Sequence, residues 1–402
     1  MKKTFFITFF INILFCNIVF ANQNYTNNIS SSLNTPPASS TISEKPSVNS
    51  NNIVVLDRKT LLPLYEKNAY QKTAMASTTK ILTCIIALEN SKPSDIVTVS
   101  KKASSVSGSS LGLNANTKIS MNDLLYGLML RSGNDCAIAI AEHISGSIEN
   151  FSILMNQKAF ELGLFNSNFI TPHGLDNENH FTTAYDLALL TNYSLKNPDF
   201  KKIVSTKTTT IFYNNSSCEI SNTNELLGVL DGVYGVKTGF TFEAGRCLVS
   251  ACKRNNLDII VVVLGADTKS IRTKDSKNLI NYIFDNYDYI DISKIIDKSF
   301  SNYINYFSNL YKLEKTSTIP SILLERLDNY QFPLLKEELP NIKTKIYTIT
   351  NFNSSISAGN VVGKIEVYNQ ETLLCSTNII LENRLIPNNW MFYFSKILSN
   401  YK

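Results

Sequence analysis

Strand-like runs at two distant places constrain this chain most. Ile53-Val54-Val55-Leu56 is an apolar extended run, Asp57-Arg58-Lys59-Thr60 makes a turn, and Leu62 to Tyr65 returns as a second strand. Far downstream come Gly235 to Phe240, Arg246 to Cys252 and Leu257 to Leu264, with Asn255-Asn256 suited to a tight turn between the last two. Between these groups the apolar spacing becomes helical. Ser77 to Leu88 places Ile81, Leu82, Ile85, Ile86 and Leu88 on a wide apolar surface. Ser120-Met121-Asn122-Asp123 resembles a capping box with Asp in the Glu position, opening a helix to about Leu130. Another helix starts just after Asn134, and its Ala137, Ile138, Ile140, Ala141 and Ile144 suggest deep burial. A further one is expected from about Asp275 to Tyr287. Helices enclosed between early and late strands imply one mixed α/β domain over residues 53–288.

The 402 residues exceed one typical core. Residues 291–384 carry strand signals at Lys343 to Ile349, Val361 to Val367 and Leu373 to Leu381, and are expected to form a small β-rich domain. In 385–402, Trp390, Phe394, Ile397, Leu398 and Tyr401 recur at helical spacing. That segment is read as an amphipathic helix lying on a membrane surface, or else packed on its own domain. At the other end, Lys2-Lys3, the apolar run Thr4 to Phe20 and Val19-Phe20-Ala21 read as an export signal over 1–21, with a retained anchor as the alternative. Residues 22–52, rich in Asn, Ser, Thr and Pro, are expected to be a flexible spacer. The protein is therefore expected outside the cytoplasm, on the outer face of the membrane.

A formal net charge of +5 is too mild to argue for nucleic acid, and two of those charges, Lys2 and Lys3, lie in the expected signal. Six cysteines remain after Ala21, an even number that permits disulfides in an exported chain. Their irregular spacing, with several inside apolar runs, favours buried free thiols.

Three short motifs carry chemistry. Ser77-Thr78-Thr79-Lys80 fits S-x-x-K, as do Ser250-Ala251-Cys252-Lys253 and Ser399-Asn400-Tyr401-Lys402. Only Ser77 begins a helix, where residues i and i+3 share a face. Ser250 lies in an expected strand, where they point apart. A serine hydroxyl is a poor nucleophile until a base takes its proton, and lysine serves as that base if burial or a nearby cation destabilises its ammonium. Ser132-Gly133-Asn134 falls where one helix ends and another begins, so both side chains can line a cleft. Lys237-Thr238-Gly239 occurs once, inside a strand-like run. Lys237 would supply the cation that keeps Lys80 neutral, Lys237 and Thr238 together would bind a carboxylate, and Gly239 would admit a substrate backbone.

In these motifs the chain resembles the low-molecular-mass penicillin-binding proteins, the serine-type D-alanyl-D-alanine carboxypeptidases. The likeness runs over nearly all of residues 51–288. It includes Ala76 to Thr83, Leu130 to Asp135, Pro172-His173-Gly174-Leu175-Asp176 with His180, Asn222-Thr223-Asn224, and Gly235 to Thr241 with Glu243-Ala244-Gly245. It implies a penicillin-binding, β-lactamase-like transpeptidase fold, with an antiparallel sheet, a helical cluster and a small C-terminal β-rich domain. It also implies an acyl-enzyme on Ser77, with Lys80 as general base and Ser132 as proton relay. Asn134 would line the cleft, and Lys237, Thr238 and Gly239 would meet substrate. The amides of Ser77 and Phe240 would form the oxyanion hole. Arg272 aligns with a family arginine near the substrate carboxylate. The implied partner is a peptidoglycan stem peptide ending in D-Ala-D-Ala, with β-lactams as covalent inhibitors and no metal or cofactor.

Other readings remain at this stage. A β-lactamase, transpeptidase or endopeptidase would share the acyl chemistry. A β-lactamase of class A needs an extra glutamate, but Phe160-Glu161-Leu162-Gly163-Leu164 looks like the carboxypeptidase pattern instead. A non-catalytic wall-binding protein would not need Ser77, Lys80, Ser132 and Lys237 together. His143, His173 and His180 lie in no triad-like motif and are expected to make structural hydrogen bonds.

Overall fold

The structure is a computed structural model that describes residues 44–214, 216–313, 320–336, 341–348, 355–386, 394 and 397–399. The chain divides into two compact units, one of Ala38–Ile290 with Phe332–Glu337, the other containing Asp291–Gln331 and Glu338–Lys402.

The first unit is organised on a five-stranded antiparallel sheet. Its strands run in the order β2 (Pro63–Lys67), β1 (Asn52–Asp57), β9 (Leu257–Ala266), β8 (Gly245–Arg254), β7 (Val233–Thr241). The two groups of strand-like runs thus meet in one sheet, because β1 pairs with β9 from Asn52↔Leu264 to Asp57↔Ile259. The central strands are apolar without alternation because both faces are covered. Ile260, Val262 and Leu264 face a helical cluster, while Ile259, Val261 and Val263 pack with Leu279, Ile280 and Ile283 of α8 (Lys269–Asn286).

The helical cluster comprises α1 (Lys80–Asn90), α2 (Lys101–Ser104), α3 (Met121–Leu130), α4 (Asn134–Ser145), α5 (Ile148–Glu161), α6 (Ala184–Ser194) and α7 (Pro198–Ser205). Every residue of α1 from Lys80 to Ala87 is buried, so it runs through the middle of the core. Ser120 caps α3 as expected: its Oγ accepts from the Asp123 amide at 3.0 Å and donates to the Asp123 carboxylate at 2.7 Å. A small sheet, β3 (Ile96–Thr98), β4 (Lys118–Ser120), β5 (Thr208–Tyr213) and β6 (Ser216–Ser221), flanks the cluster. β10 (Tyr287–Asp291) and β12 (Gln331–Leu335) form a two-stranded ladder.

Several expectations need correction. The helix expected from Ser77 begins at Lys80, after a 3-10 turn over Ala76–Thr79. The helix expected from Asp275 starts at Lys269, capped by the Thr268 side chain. The spacer expected to reach residue 52 is docked well before that. Asp275 Oδ2 accepts from the Asn49 amide (2.9 Å), the Ser50 amide (2.8 Å) and Ser50 Oγ (2.7 Å), and Lys67 Nζ donates to the Val48 and Ser50 carbonyls. A turn-rich composition hid a segment held largely through its backbone amides and carbonyls, with Val48 as its buried apolar side chain.

In the second unit β11 (Ile322–Leu324), β15 (Thr372–Leu381), β14 (Val361–Asn369) and β13 (Ile342–Thr348) form a sheet in that order. This unit opens with a helix that the sequence reading missed, α9 (Ser293–Leu313). Buried Ile292, Ile295, Ile296, Ser299, Tyr303 and Phe307 do recur at helical spacing. The strand-forming aromatics among them obscured the period. The signal segment 1–21 and the spacer up to residue 43 lie outside the described residues, as does most of the terminal helix expected over 385–402. Among the described residues no helix is long and apolar enough to cross a membrane. The six described cysteines are free, with Cys84, Cys136, Cys247 and Cys252 buried.

Asp275→Ala is expected to cost about 2 kcal/mol by stranding three donors. A lower melting temperature and new protease cleavage between residues 44 and 51 would register it; an unchanged melt would refute the anchoring role.

Candidate active site

Ser77 lies on the turn that feeds α1, and that turn is held in an unusual shape. Ala76 has φ +48°, in the left-handed region that costs a non-glycine residue energy. Thr78 Oγ1 donates to the Met75 carbonyl (2.6 Å) and Thr79 Oγ1 to the Ala76 carbonyl (2.8 Å). Gly174, at φ +87°, presses from the other side: a Cβ there would sit 2.0 Å from Ala76 O. His180 Nδ1 accepts from the Ile170 amide (2.9 Å), which puts its ring proton on Nε2, 2.8 Å from Thr79 Oγ1. Burial lowers the His180 pKa to about 4, so the ring is a neutral, fixed donor. His173 is likewise lowered to about 3 by burial, and its Nδ1 accepts from the Leu175 amide. Both histidines make structural hydrogen bonds, though closer to Ser77 than their sequence setting indicated. His143 lies 4.0 Å from Asp95 on a partly exposed surface.

Lys80 is fully buried, with Nζ 2.8 Å from Ser77 Oγ, 2.7 Å from Asn134 Oδ1 and 2.8 Å from the His173 carbonyl. Asn134 Nδ2 donates to Ser107 O (2.7 Å), which fixes Oδ1 as the end facing the lysine. Two of the three partners are carbonyls that can only accept. A neutral amine has two N–H bonds and one lone pair. If both hydrogens go to Asn134 and His173, the lone pair faces Ser77, whose hydroxyl then donates to it.

The charge environment favours that neutral form. The Lys80 pKa is held well below the ordinary lysine value, by burial first and by the Lys237 cation second. Lys237, also buried, donates to the Thr238 carbonyl at 2.9 Å, and burial followed by the charge of Arg272 lowers it to about 7. Neither amine has an ion-pair partner among the described residues. Both amines are displaced toward the neutral form, and Lys80 is the one beside the serine hydroxyl.

The remaining expected residues frame this pair. Ser132 sits in the turn between α3 and α4 with φ +62° and is 7% exposed, but it is not among the groups bonded to Lys80. On β7, the edge strand, Gly239 lets the chain approach the nucleophile turn: a Cβ there would stand 3.2 Å from both Met75 O and Ser77 N. Phe240 follows, its ring partly exposed beneath the Arg246 guanidinium at 3.6 Å. Thr238 Oγ1 lies 2.7 Å from Thr223 Oγ1. Arg272, on α8, is 4% exposed and bonds Glu225 at 3.1 Å. Hydrogen bonds therefore join Ser77, Lys80 and Asn134, packing brings in Gly239, and charge couples Lys237 and Arg272. At the decoy S-x-x-K, Ser250 is buried with Oγ unpartnered while Lys253 is exposed, so the two point apart as expected.

Sequence reasoning missed two supporting carboxylates. Asp135, buried in the first turn of α4, accepts from Ser110 Oγ (2.7 Å), Leu111 N (3.0 Å) and Leu113 N (3.1 Å). It thereby ties down the loop whose Ser107 and Ser109 carbonyls hold Asn134. Glu225 was missed although it directly follows Asn222-Thr223-Asn224. An acidic residue beside a motif with no basic neighbour in sequence was the available signal.

A buried lysine amine against a partly exposed serine hydroxyl, between a helical cluster and the edge of an antiparallel sheet, is the arrangement that an acyl-transferring serine requires. The chain belongs to the peptidase S11 family, D-alanyl-D-alanine carboxypeptidase, which it matches over residues 39–268. It is 38% identical to the D-alanyl-D-alanine carboxypeptidase DacF of Bacillus subtilis across 58% of this chain and 62% of that protein. It is 31% identical to the carboxypeptidase DacD of Escherichia coli across 82% of this chain and 84% of that one. The first relatives are thus spanned over somewhat less than two thirds of their length. The D-alanyl-D-alanine carboxypeptidase DacD of Francisella tularensis superposes with a TM-score of 0.70 at 25% identity, covering 88% of this chain and 98% of that one. The Streptomyces K15 DD-transpeptidase superposes with a TM-score of 0.58 at 32% identity over 60% of this chain and 98% of its own.

Lys237→Gln removes the cation that depresses Lys80, so the Lys80 pKa rises. The acid limb of the pH profile for acylation of Ser77 is expected to move to higher pH. An acid limb that stays in place in this variant would show that Lys237 does not tune the base.

Proposed function

We propose that this protein is a serine D-Ala-D-Ala carboxypeptidase acting on peptidoglycan stem peptides. The observation that carries the reading is the buried Lys80 amine 2.8 Å from Ser77 Oγ, with its other contacts taken by two carbonyls. Substrate lies along the free edge of β7, its terminal carboxylate toward Lys237, Thr238 and Arg272. Lys80 accepts the Ser77 proton as Oγ attacks the carbonyl carbon of the penultimate D-alanine. The amides of Ser77 and Phe240 stabilise the tetrahedral oxygen. Ser132 passes the proton from Lys80 to the departing D-alanine nitrogen as the peptide C–N bond breaks. Water then hydrolyses the ester on Ser77, and its proton returns through Lys80.

β-Lactams acylate the same serine and inhibit. The β-lactamase reading loses ground because Glu161, at the end of α5, is exposed and paired with Lys158 at 3.1 Å. The apolar run Thr4 to Phe20 supports export, and so action at the outer face of the cytoplasmic membrane. Leu385, the first residue of the expected terminal helix, is instead buried and bridged to Ile356, so membrane contact would fall to residues after it.

Product analysis on a D-Ala-D-Ala pentapeptide tests the activity: released D-alanine is expected, and an unreacted peptide would contradict it. A likeness to the K15 DD-transpeptidase favours one second reading, which a cross-linked product in the presence of an amine acceptor would establish. Fluorescent penicillin is expected to label the protein covalently and to fail on Ser77→Ala; persistent labelling there would remove Ser77 as the nucleophile. Lys80→Ala is expected to slow acylation at least about 100-fold.

A further inference from the structure

One short segment touches every wall of the carboxylate end of the cleft. The Thr223 amide donates to the Leu130 carbonyl at 3.2 Å, at the end of α3 just before Ser132. Thr223 Oγ1 meets Thr238 Oγ1, and Asn224 Nδ2 donates to the Gly235 carbonyl at 2.8 Å, so both grip β7 on either side of Lys237. Glu225 then reaches α8. Its Oε2 accepts from Arg272 Nη2 (3.1 Å) and Thr273 Oγ1 (2.7 Å), and its Oε1 pairs with Lys269.

The electrostatics of this corner do not balance. Arg272 and Lys237 are both buried, and each cation disfavours the other. Glu225 is the carboxylate paired with Arg272, and it is shared with Lys269. Arg272 Nε is buried and has no hydrogen-bond partner among the described residues. A buried guanidinium N–H without an acceptor is costly, and an arriving carboxylate would supply both the acceptor and the missing negative charge. If Glu225 were absent, Arg272 would lose the contact that fixes its plane.

We propose that Glu225 is a positioning residue for recognition of the substrate's terminal carboxylate, acting through Arg272. This rests on the carboxypeptidase reading above, and adds to it a specificity element contributed by the Thr223–Glu225 segment. Glu225 holds the guanidinium by one nitrogen and leaves Nε for substrate. Its effect therefore falls on binding of the acid terminus and not on bond breaking at Ser77.

The test is steady-state release of the terminal residue from two blocked peptides, one ending in D-Ala-D-Ala acid and one in the corresponding amide. Glu225→Ala is expected to raise KM for the acid about tenfold with kcat within about twofold. It should leave kcat/KM for the amide unchanged. Glu225→Gln, whose amide oxygen still accepts from Arg272, is expected to keep KM within about threefold of the wild type. Adding Glu225→Ala to Arg272→Gln should cause no further loss. Equal losses on acid and amide peptides, an unchanged KM for the acid, or additive losses in the double variant would overturn the proposal. Should the alanine variant not fold, Glu225→Asp, one methylene shorter, takes its place. A wild-type protein that turns over neither peptide would defeat the carboxypeptidase reading. The same variants are then scored by acylation with fluorescent penicillin, which also carries a carboxylate for Arg272 to meet, and unchanged acylation of Glu225→Ala would overturn the proposal there.

Discussion

Two lysines share one buried region with no carboxylate bonded to either among the described residues, and the rest of the catalytic unit answers to that arrangement. A buried ammonium is expensive, and two near each other are more so. The cost is relieved if one becomes neutral, and burial together with the Lys237 charge pushes Lys80, beside the serine, toward that form. What makes a neutral Lys80 useful is geometry. Asn134 and His173 present oxygens that cannot donate, so the lone pair is left for Ser77. Charge sets the protonation state and hydrogen bonding sets its direction; neither alone would make a base.

Those groups come from remote parts of the chain, which is why the sheet topology matters. β1 pairs with β9 and closes the sheet around the helical cluster, leaving β7 at the edge. An edge strand offers unpaired backbone groups, usually a liability. Here the lack of a side chain on Gly239 brings that edge against the Ser77 turn, so the exposed backbone becomes one side of a cleft. The opposite side is held by Asp135, whose buried carboxylate secures the loop that in turn fixes Asn134.

Much of this was legible in the sequence, and for identifiable reasons. The strands β8 and β9 and the helices α1, α3 and α4 carry dense apolar runs that their burial matches, and β7 was marked by its place in an extended run. Ser77, Lys80 and Asn134 were found because helical spacing and a helix junction bring them toward one another. What could not be read was anything that depends on backbone groups or distant partners. No side-chain pattern marks the His173 carbonyl, the left-handed Ala76 or the amides of Asn49 and Ser50. Glu225 left only a faint signal, an acidic residue beside a motif, because its cations arrive from α8, far along the chain. In α9 the helical period was present but carried by aromatics that also suit strands.

The interlock between Gly174 and Ala76, with the His173 carbonyl beside it, also carries a time order. Until that later segment docks, the Ala76 turn lacks the wall that Gly174 presents, and the Lys80 amine lacks its His173 acceptor. On the proposed mechanism, the unfolded polypeptide therefore has an inert hydroxyl where the folded one has an activated serine. Activation of that serine then waits on completion of tertiary structure, because the groups that surround Lys80 come from segments far apart in the chain.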